Sequence, residues 1–217
     1  MHFPYAYMAG TGHSTIRHPD GKPIMDLALS RGYPQTWAAM EALVDKGTVK
    51  MIGISNFNML KIKRVLEHAR IKPAVLQVEL HPYLPQSELL QYAKQEGIHV
   101  MAHQPLGGRP IAAINPNQDR PGPMADPEVE QIAQAYNKSV AQILLSWAVQ
   151  RGTSIVPKTV HEARLLENKD IFVLRHEHFD RFNRLAEEKG TVRYLDPKEY
   201  VGFDIFDEGL DQPFENS

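Results

Sequence analysis

Short apolar, strand-like runs alternate with segments of helical period along most of this chain, and each run ends in polar residues. The runs are Val49–Asn56, closing on Ile54-Ser55-Asn56; Val75–His81, carrying Gln77 and Glu79; His99–Leu106, carrying His103 and Gln104; and Ser154–Thr159, closing on Pro157-Lys158-Thr159. They predict strands over Val49–Ser55, Val75–Leu80, His99–His103 and Ser154–Val156, and residues 1–4 read as the end of another, because Pro4 cannot donate to a ladder. Trp37, Met40, Leu43 and Val44 predict a helix over Gln35–Lys46 stopped by Gly47, and Leu60, Ile62, Val65, Leu66 and Ala69 form the stripe of a helix over Asn58–Arg70. Further helices are predicted over Gln86–Gln95, from the Asp126-Pro127-Glu128 start to Asn137, over Val140–Gln150 with Leu144, Leu145, Trp147 and Ala148 inward, over His161–Glu167, and over His176–Lys189. In a parallel α/β protein all strand carboxyl ends face one way, so the polar run ends should converge on one rim.

The alternation, without Gly-x-Gly-x-x-Gly, argues against a dinucleotide-binding doubly wound sheet and for a (β/α) barrel or part of one. Counting the stub at residues 1–4, five strands are predicted, short of the eight that close such a barrel. Gly- and Pro-containing stretches at Tyr5–Pro34 and Gly107–Pro127, and a tail over residues 190–217, are irregular; the second reads as a long excursion over the strand-end rim.

Composition narrows the classes. The 217 residues, 42% hydrophobic and 23% charged, can bury a core, with a single domain over 1–217 as the default. A net charge of −2 without a dense basic run argues against nucleic-acid or anionic-membrane partners. The chain has no cysteine, which excludes disulfides and thiolate metal sites and suits a reducing cytoplasm. The start carries no secretory pattern, and no apolar stretch approaches the roughly 20 residues of a membrane helix, so a soluble cytoplasmic protein is expected.

Among candidate groups, Lys158 and Thr159 at a strand end with Arg164 on the following first helical turn form an anion site, against the alternative of solvated surface cations. Ser55-Asn56 fits either a helix cap or a ligand contact, while an amide at Gln77 in mid-strand needs a partner. A phosphate-binding aldolase or isomerase barrel would instead use Lys158 as a Schiff-base or phosphate lysine, but the Thr159 and Arg164 neighbourhood is not the desolvated one that Schiff-base chemistry wants. His176-Glu177-His178 has no further ligand at useful spacing, and no metal site is expected.

Met1-His2-Phe3-Pro4, Lys50-Met51-Ile52-Gly53-Ile54-Ser55-Asn56-Phe57, Gln77-Val78-Glu79-Leu80-His81-Pro82, Pro105-Leu106-Gly107, and Ile155-Val156-Pro157-Lys158-Thr159 with Arg164 and Glu167-Asn168 stand in this order. Together they resemble the aldo-keto reductases over nearly the whole chain, and the tail around Gly202-Phe203-Asp204 looks like fungal members related to glycerol dehydrogenases and xylose reductases. The resemblance implies a TIM barrel of that type, present as its last five strand–helix units. It also implies an NADPH-dependent oxidoreductase that moves hydride between the cofactor and small carbonyl or alcohol substrates. By resemblance, Ser55, Asn56 and Gln77 hold the nicotinamide carboxamide, and His103 takes the stacking place usually held by Tyr. Gln104 and Leu106 lie along the cofactor, with the Pro105-Leu106-Gly107 loop against the pyrophosphate. Lys158, Thr159 and Arg164 bind the 2′-phosphate, and Glu167 and Asn168 lie near the adenine. His2 would orient the substrate carbonyl, and Phe3 would line the pocket.

The family's tyrosine acid, with the lysine that lowers its pKa and the aspartate paired to that lysine, has no match here. Tyr5 and Tyr7 lie near His2 without a Lys or Asp at relay spacing. Three accounts stand: a truncated reductase, a short reductase that completes its barrel by oligomerisation, and a catalytically silent NADPH-binding or interaction protein.

Overall fold

The computed structural model describes residues 1–12, 14–108 and 112–206. Pro110 of the predicted excursion and residues 207–217 of the predicted tail lie outside them. The chain divides into two compact units, one of Met1–Gln77, Gln91–His99 and Pro197–Ser217, the other of Val78–Leu90 and Val100–Asp196.

In the first unit, Tyr5–Met25 forms isolated antiparallel bridges, Tyr7 with Met25, Ala9 with Thr15 and Arg17 with Pro23. Helices α1 (Leu27–Arg31) and α2 (Tyr33–Asp45) follow, then β1 (Gly53–Ser55), α3 (Met59–His68) and β2 (Val75–Glu79), whose first residues pair with β1 in parallel, Gly53 opposite Val75 and Ser55 opposite Gln77. Gly53 is required by this register, since a Cβ there would sit 2.7 Å from the Val75 carbonyl oxygen. Residues 1–4 form no ladder, although the Met1 nitrogen donates to the Gly53 carbonyl at 2.7 Å. Strand β1 is shorter than predicted, and Met51 is exposed.

Helix α2 departs from its predicted stripe. It buries Tyr33, Trp37 and Glu41, one turn apart, and leaves Leu43 exposed. Trp37 Nε1 donates to the Ile71 carbonyl at 3.0 Å, and Glu41 accepts from the Arg70 and Ile71 amides at 2.8 Å, so partners distant in sequence make the carboxylate tolerable inside. Helix α9 (Lys198–Val201) also lies in this unit.

The second unit holds the end of β2, most of β3 (His99–His103), α5 (Pro127–Tyr136), α6 (Val140–Gln150), β4 (Ser154–Ile155), α7 (Glu162–Lys169) and α8 (His176–Lys189). Helix α4 (Ser87–Gln95) contributes residues to both units. The strand order is β1-β2-β3-β4, with Met101 opposite Ser154 in the parallel β3–β4 pair. As predicted, Asp126 caps α5 by accepting from the Glu128 amide, with Pro127 in the first turn. A reciprocal Ser139–Gln142 box starts α6. Helix α6 buries Ile143 to Ala148 as the core of this unit, with Leu174 and Phe182, whereas α7 buries none of its residues. Among the described residues no helix is long and apolar enough to cross a membrane.

Candidate functional site

In the first unit, His2, Ser55, Asn56 and Gln77 come together where the carboxyl end of β1 lies beside the middle of β2. The Asn56 amide nitrogen of the backbone donates to the Gln77 carbonyl at 2.9 Å, extending the ladder by one bond. Asn56 then turns the chain at φ 61°, a left-handed conformation that asparagine tolerates better than most residues. Its side-chain Nδ2 donates to the His2 carbonyl at 3.1 Å and lies 3.2 Å from Ser55 Oγ. Ser55 and Asn56 are buried, Gln77 is half-buried and the His2 side chain is exposed. The cap of α3 is Asn58, whose carbonyl oxygen accepts from the Lys61 amide at 2.9 Å. Neither Ser55 nor Asn56 is therefore consumed in capping.

The rings of His2 and Phe3 lie 4.6 Å apart, and Phe3 stacks on Tyr5 at 4.9 Å. Burial, with the neighbouring Tyr7 and Tyr200 phenols, pushes the Tyr5 phenol above its ordinary pKa, opposite to what a proton donor activated by a lysine requires.

In the second unit, Gln104 at φ 50° and Gly107 at φ 66° form a tight turn after β3, closed by the Gly107 amide on the Gln104 carbonyl at 2.8 Å. Gln104 Nε2 donates to the Gly108 carbonyl at 3.0 Å, and His103, Gln104 and Leu106 are half-buried. A Cβ on Gly107 would collide with the Pro123 ring at 2.4 Å, so the glycine lets the returning excursion lie against the turn. Two bonds hold its later part: Asn117 Nδ2 donates to the Arg193 carbonyl at 2.8 Å, and Tyr194 Oη to the Pro121 carbonyl at 3.1 Å. Single 3₁₀ turns at Ala112–Ile114 and Pro123–Ala125 interrupt what the sequence presents as irregular.

After β4, Lys158 and Arg164 are exposed and Thr159, Glu167 and Asn168 half-buried. Thr159 Oγ1 accepts from the His161 amide at 3.1 Å, at the entry to α7. Among the described residues no carboxylate is paired with Lys158 or Arg164. Lys158, Thr159 and Arg164 thus flank the start of an eight-residue helix whose first turn also carries Glu162. His176 and His178 of the His-Glu-His segment instead meet Asp180 at 2.7 Å and the Tyr136 hydroxyl at 3.0 Å.

Two clusters carry more than their sequence signals suggest. Glu79 and His81 are fully buried, with His81 Nε2 2.8 Å from Glu79 Oε1, and Glu79 also accepts from the Tyr194 and Leu195 amides at 2.7 Å. Burial opposes the Glu79 charge, but His81 and these two amides prevail and hold its pKa below the ordinary value. Asp126 accepts from the Tyr83 hydroxyl and from Lys189 Nζ, both at 2.5 Å. This brings a Tyr, an Asp and a Lys together in an order unsuited to acid catalysis: the phenol donates to the carboxylate, and burial and Asp126 push its pKa up.

The profile of the Aldo/keto reductase family matches residues 1–187, and the chain belongs to that family. It is 44% identical over 172 residues to Aldo-keto reductase family 1 member A1 of Gallus gallus, covering 79% of this chain and 51% of the relative. It is 35% identical over 208 residues to Glycerol 2-dehydrogenase (NADP(+)) of Hypocrea jecorina, covering 96% of this chain and 64% of the relative. The aldose reductase structure from Schistosoma japonicum superposes with a TM-score of 0.80 at 32% identity, over 98% of this chain and 64% of that one. The chain thus spans about half to two-thirds of the length of these relatives, and its α/β fold is that of the aldo-keto reductase barrel.

Proposed function

We propose that the chain binds NADPH and serves carbonyl reduction, or the reverse alcohol oxidation, by hydride transfer. The observation that supports the reading is the gathering of His2, Ser55, Asn56 and Gln77 where β1 ends beside β2, with the α3 cap supplied by Asn58. Ser55, Asn56 and Gln77 would take the carboxamide, whose donor and acceptor suit hydroxyl and amide side chains. Lys158 and Arg164, unpaired with carboxylates among the described residues, would take the 2′-phosphate with Thr159; Glu167 and Asn168 the adenine; and His103, Gln104 and Leu106 the intervening length. The cofactor, when bound, supplies the hydride. His2 would orient the carbonyl beside Phe3, its backbone fixed by Asn56. The name of the Hypocrea relative supports the choice of NADP(H) and a small polyol or carbonyl substrate. A single reductase barrel domain in a reducing cytosol completes the reading.

A second reading, binding of NADPH without turnover by this chain alone, is favoured by one observation: the phenols of Tyr5 and Tyr83 are both shifted upward, and neither hydroxyl is bonded to a lysine. The two separate in one experiment. NADPH fluorescence is titrated with the chain, and NADPH consumption is then followed with an aldehyde. Saturable binding with turnover supports the first reading, binding without turnover the second, and absence of binding contradicts both.

A further inference from the structure

Residues 189–196, at and beyond the end of α8, are bonded on one side to the end of β2 and on the other to the excursion. Towards β2, the Tyr194 and Leu195 amides each donate to the Glu79 carboxylate at 2.7 Å, and the Val192 amide donates to the Tyr83 carbonyl at 2.9 Å. Towards the excursion, the Asn117–Arg193 and Tyr194–Pro121 bonds are joined by two more. Arg120 Nη2 donates to the Lys189 carbonyl at 3.3 Å, and the Asp196 amide to the Ile114 carbonyl at 2.9 Å. Tyr194 lies at the centre of this arrangement and is 1% exposed. Its ring packs beside His81, 5.4 Å between centroids. It also reaches both limbs of the excursion: a Cβ added to Gly107 would lie 3.5 Å from Tyr194 Cε2, and one added to Gly122 would lie 3.4 Å from its hydroxyl and 3.1 Å from the Gly107 carbonyl oxygen. One side chain therefore touches the outgoing limb, the returning limb and the base beneath them.

We propose that Tyr194, held from behind by Glu79, is a positioning residue for the Gln104–Gly108 turn and, through that turn, for the middle of the bound cofactor. The backbone bonds alone would tether the excursion. The ring adds what a tether lacks, since it sets how closely the limbs at Gly107 and Gly122 approach each other. Gln104 and Leu106 ride on the turn that Gly107 closes, so a shift of Gly107 moves both. A buried carboxylate shared by two consecutive amides leaves the Tyr194 backbone little freedom, and close packing passes that constraint on to the turn. This deepens the proposed function and rests on it in one respect, that the turn faces the length of NADPH between nicotinamide and adenosine.

The test uses the full chain and two probes, NADPH and adenosine 2′,5′-bisphosphate, which keeps the 2′-phosphate end and lacks both the pyrophosphate and the nicotinamide. Tyr194→Leu should speed NADPH dissociation about tenfold, while the affinity for the bisphosphate stays within about twofold. Tyr194→Phe keeps the ring and loses only the Pro121 bond, so it should speed dissociation by about two- to fivefold. Phe182→Leu, at a buried core position of α8, controls for general softening and should not separate the two probes. Without any ligand, hydrogen exchange at the Gly107 amide, which closes the turn, should quicken in Tyr194→Leu and not in Phe182→Leu. Circular dichroism checks folding, and if Tyr194→Leu does not fold, Tyr194→Phe carries both measurements. Unchanged Gly107 exchange and unchanged NADPH dissociation overturn the proposal, as does equal weakening of both probes or the same pattern in Phe182→Leu. Faster Gly107 exchange in a chain that binds no NADPH supports the hold on the turn and removes the oxidoreductase reading. NADPH binding that is indifferent to Tyr194 removes only the positioning role.

Discussion

Replacing Glu79 with glutamine takes an acceptor from a place where His81 Nε2 and the Tyr194 and Leu195 amides share one buried carboxylate. Each donor left without a partner costs about 1–3 kcal/mol. Glu79→Gln should therefore lower the urea midpoint clearly, and an unchanged midpoint would contradict the role given to this network. Glu79 and Asp126 also set the acid limit of stability. Both carboxyls are held below their ordinary values of 4.5 and 3.8 despite burial, Glu79 by His81 and two amides, Asp126 by Lys189, Tyr83 and the Glu128 amide. Their contribution is complete above those values and drains away as the pH falls below them towards the lower folded-state values. Denaturation midpoints measured down the pH scale should fall below about pH 4.5, and Glu79→Gln should flatten part of that fall. These pairings were only partly legible beforehand. Gln77 and Glu79 stand out as polar groups in an apolar run, but Tyr194 and Leu195 are over a hundred residues away, and nothing local joins them.

At the scale of elements, the β1–β2 pair is the most constrained part of the candidate site. Gly53→Ala would press a methyl against the Val75 carbonyl, a backbone atom with little room to move, at a cost of about 1–3 kcal/mol. The same change should weaken cofactor binding, because it shifts Ser55 against Gln77; a variant as stable and as tight-binding as the native chain would show the register to be loose. Elements with strong local signals were legible in the sequence: His99–His103, Val140–Gln150, His176–Lys189 and the Asp126-Pro127 start of α5 lie where their patterns placed them. Helix α2 kept its position and lost its stripe, because the amides of Arg70 and Ile71 pay for burying Glu41 while Leu43 turns outward. The bridges within Tyr5–Met25 were not legible, since single bridges impose no alternation that a sequence pattern can carry.

On the scale of the whole molecule, the family was readable because several short motifs, each weak alone, occur in one order along the chain. Their placement agrees with a profile match over residues 1–187 and a TM-score of 0.80 to an aldose reductase. What the motifs could not supply is a proton donor, and two phenols near them, Tyr5 and Tyr83, are tuned in the wrong direction. The account therefore rests first on cofactor binding, ahead of turnover. Its most direct test is titration of the chain with NADPH and with NADH, before and after Lys158→Met. The account predicts saturable NADPH binding, tighter than NADH, and a loss of about tenfold or more for NADPH alone in the variant, as removal of a charge-assisted phosphate contact implies. Equal affinities for the two cofactors, unchanged by the substitution, would contradict it.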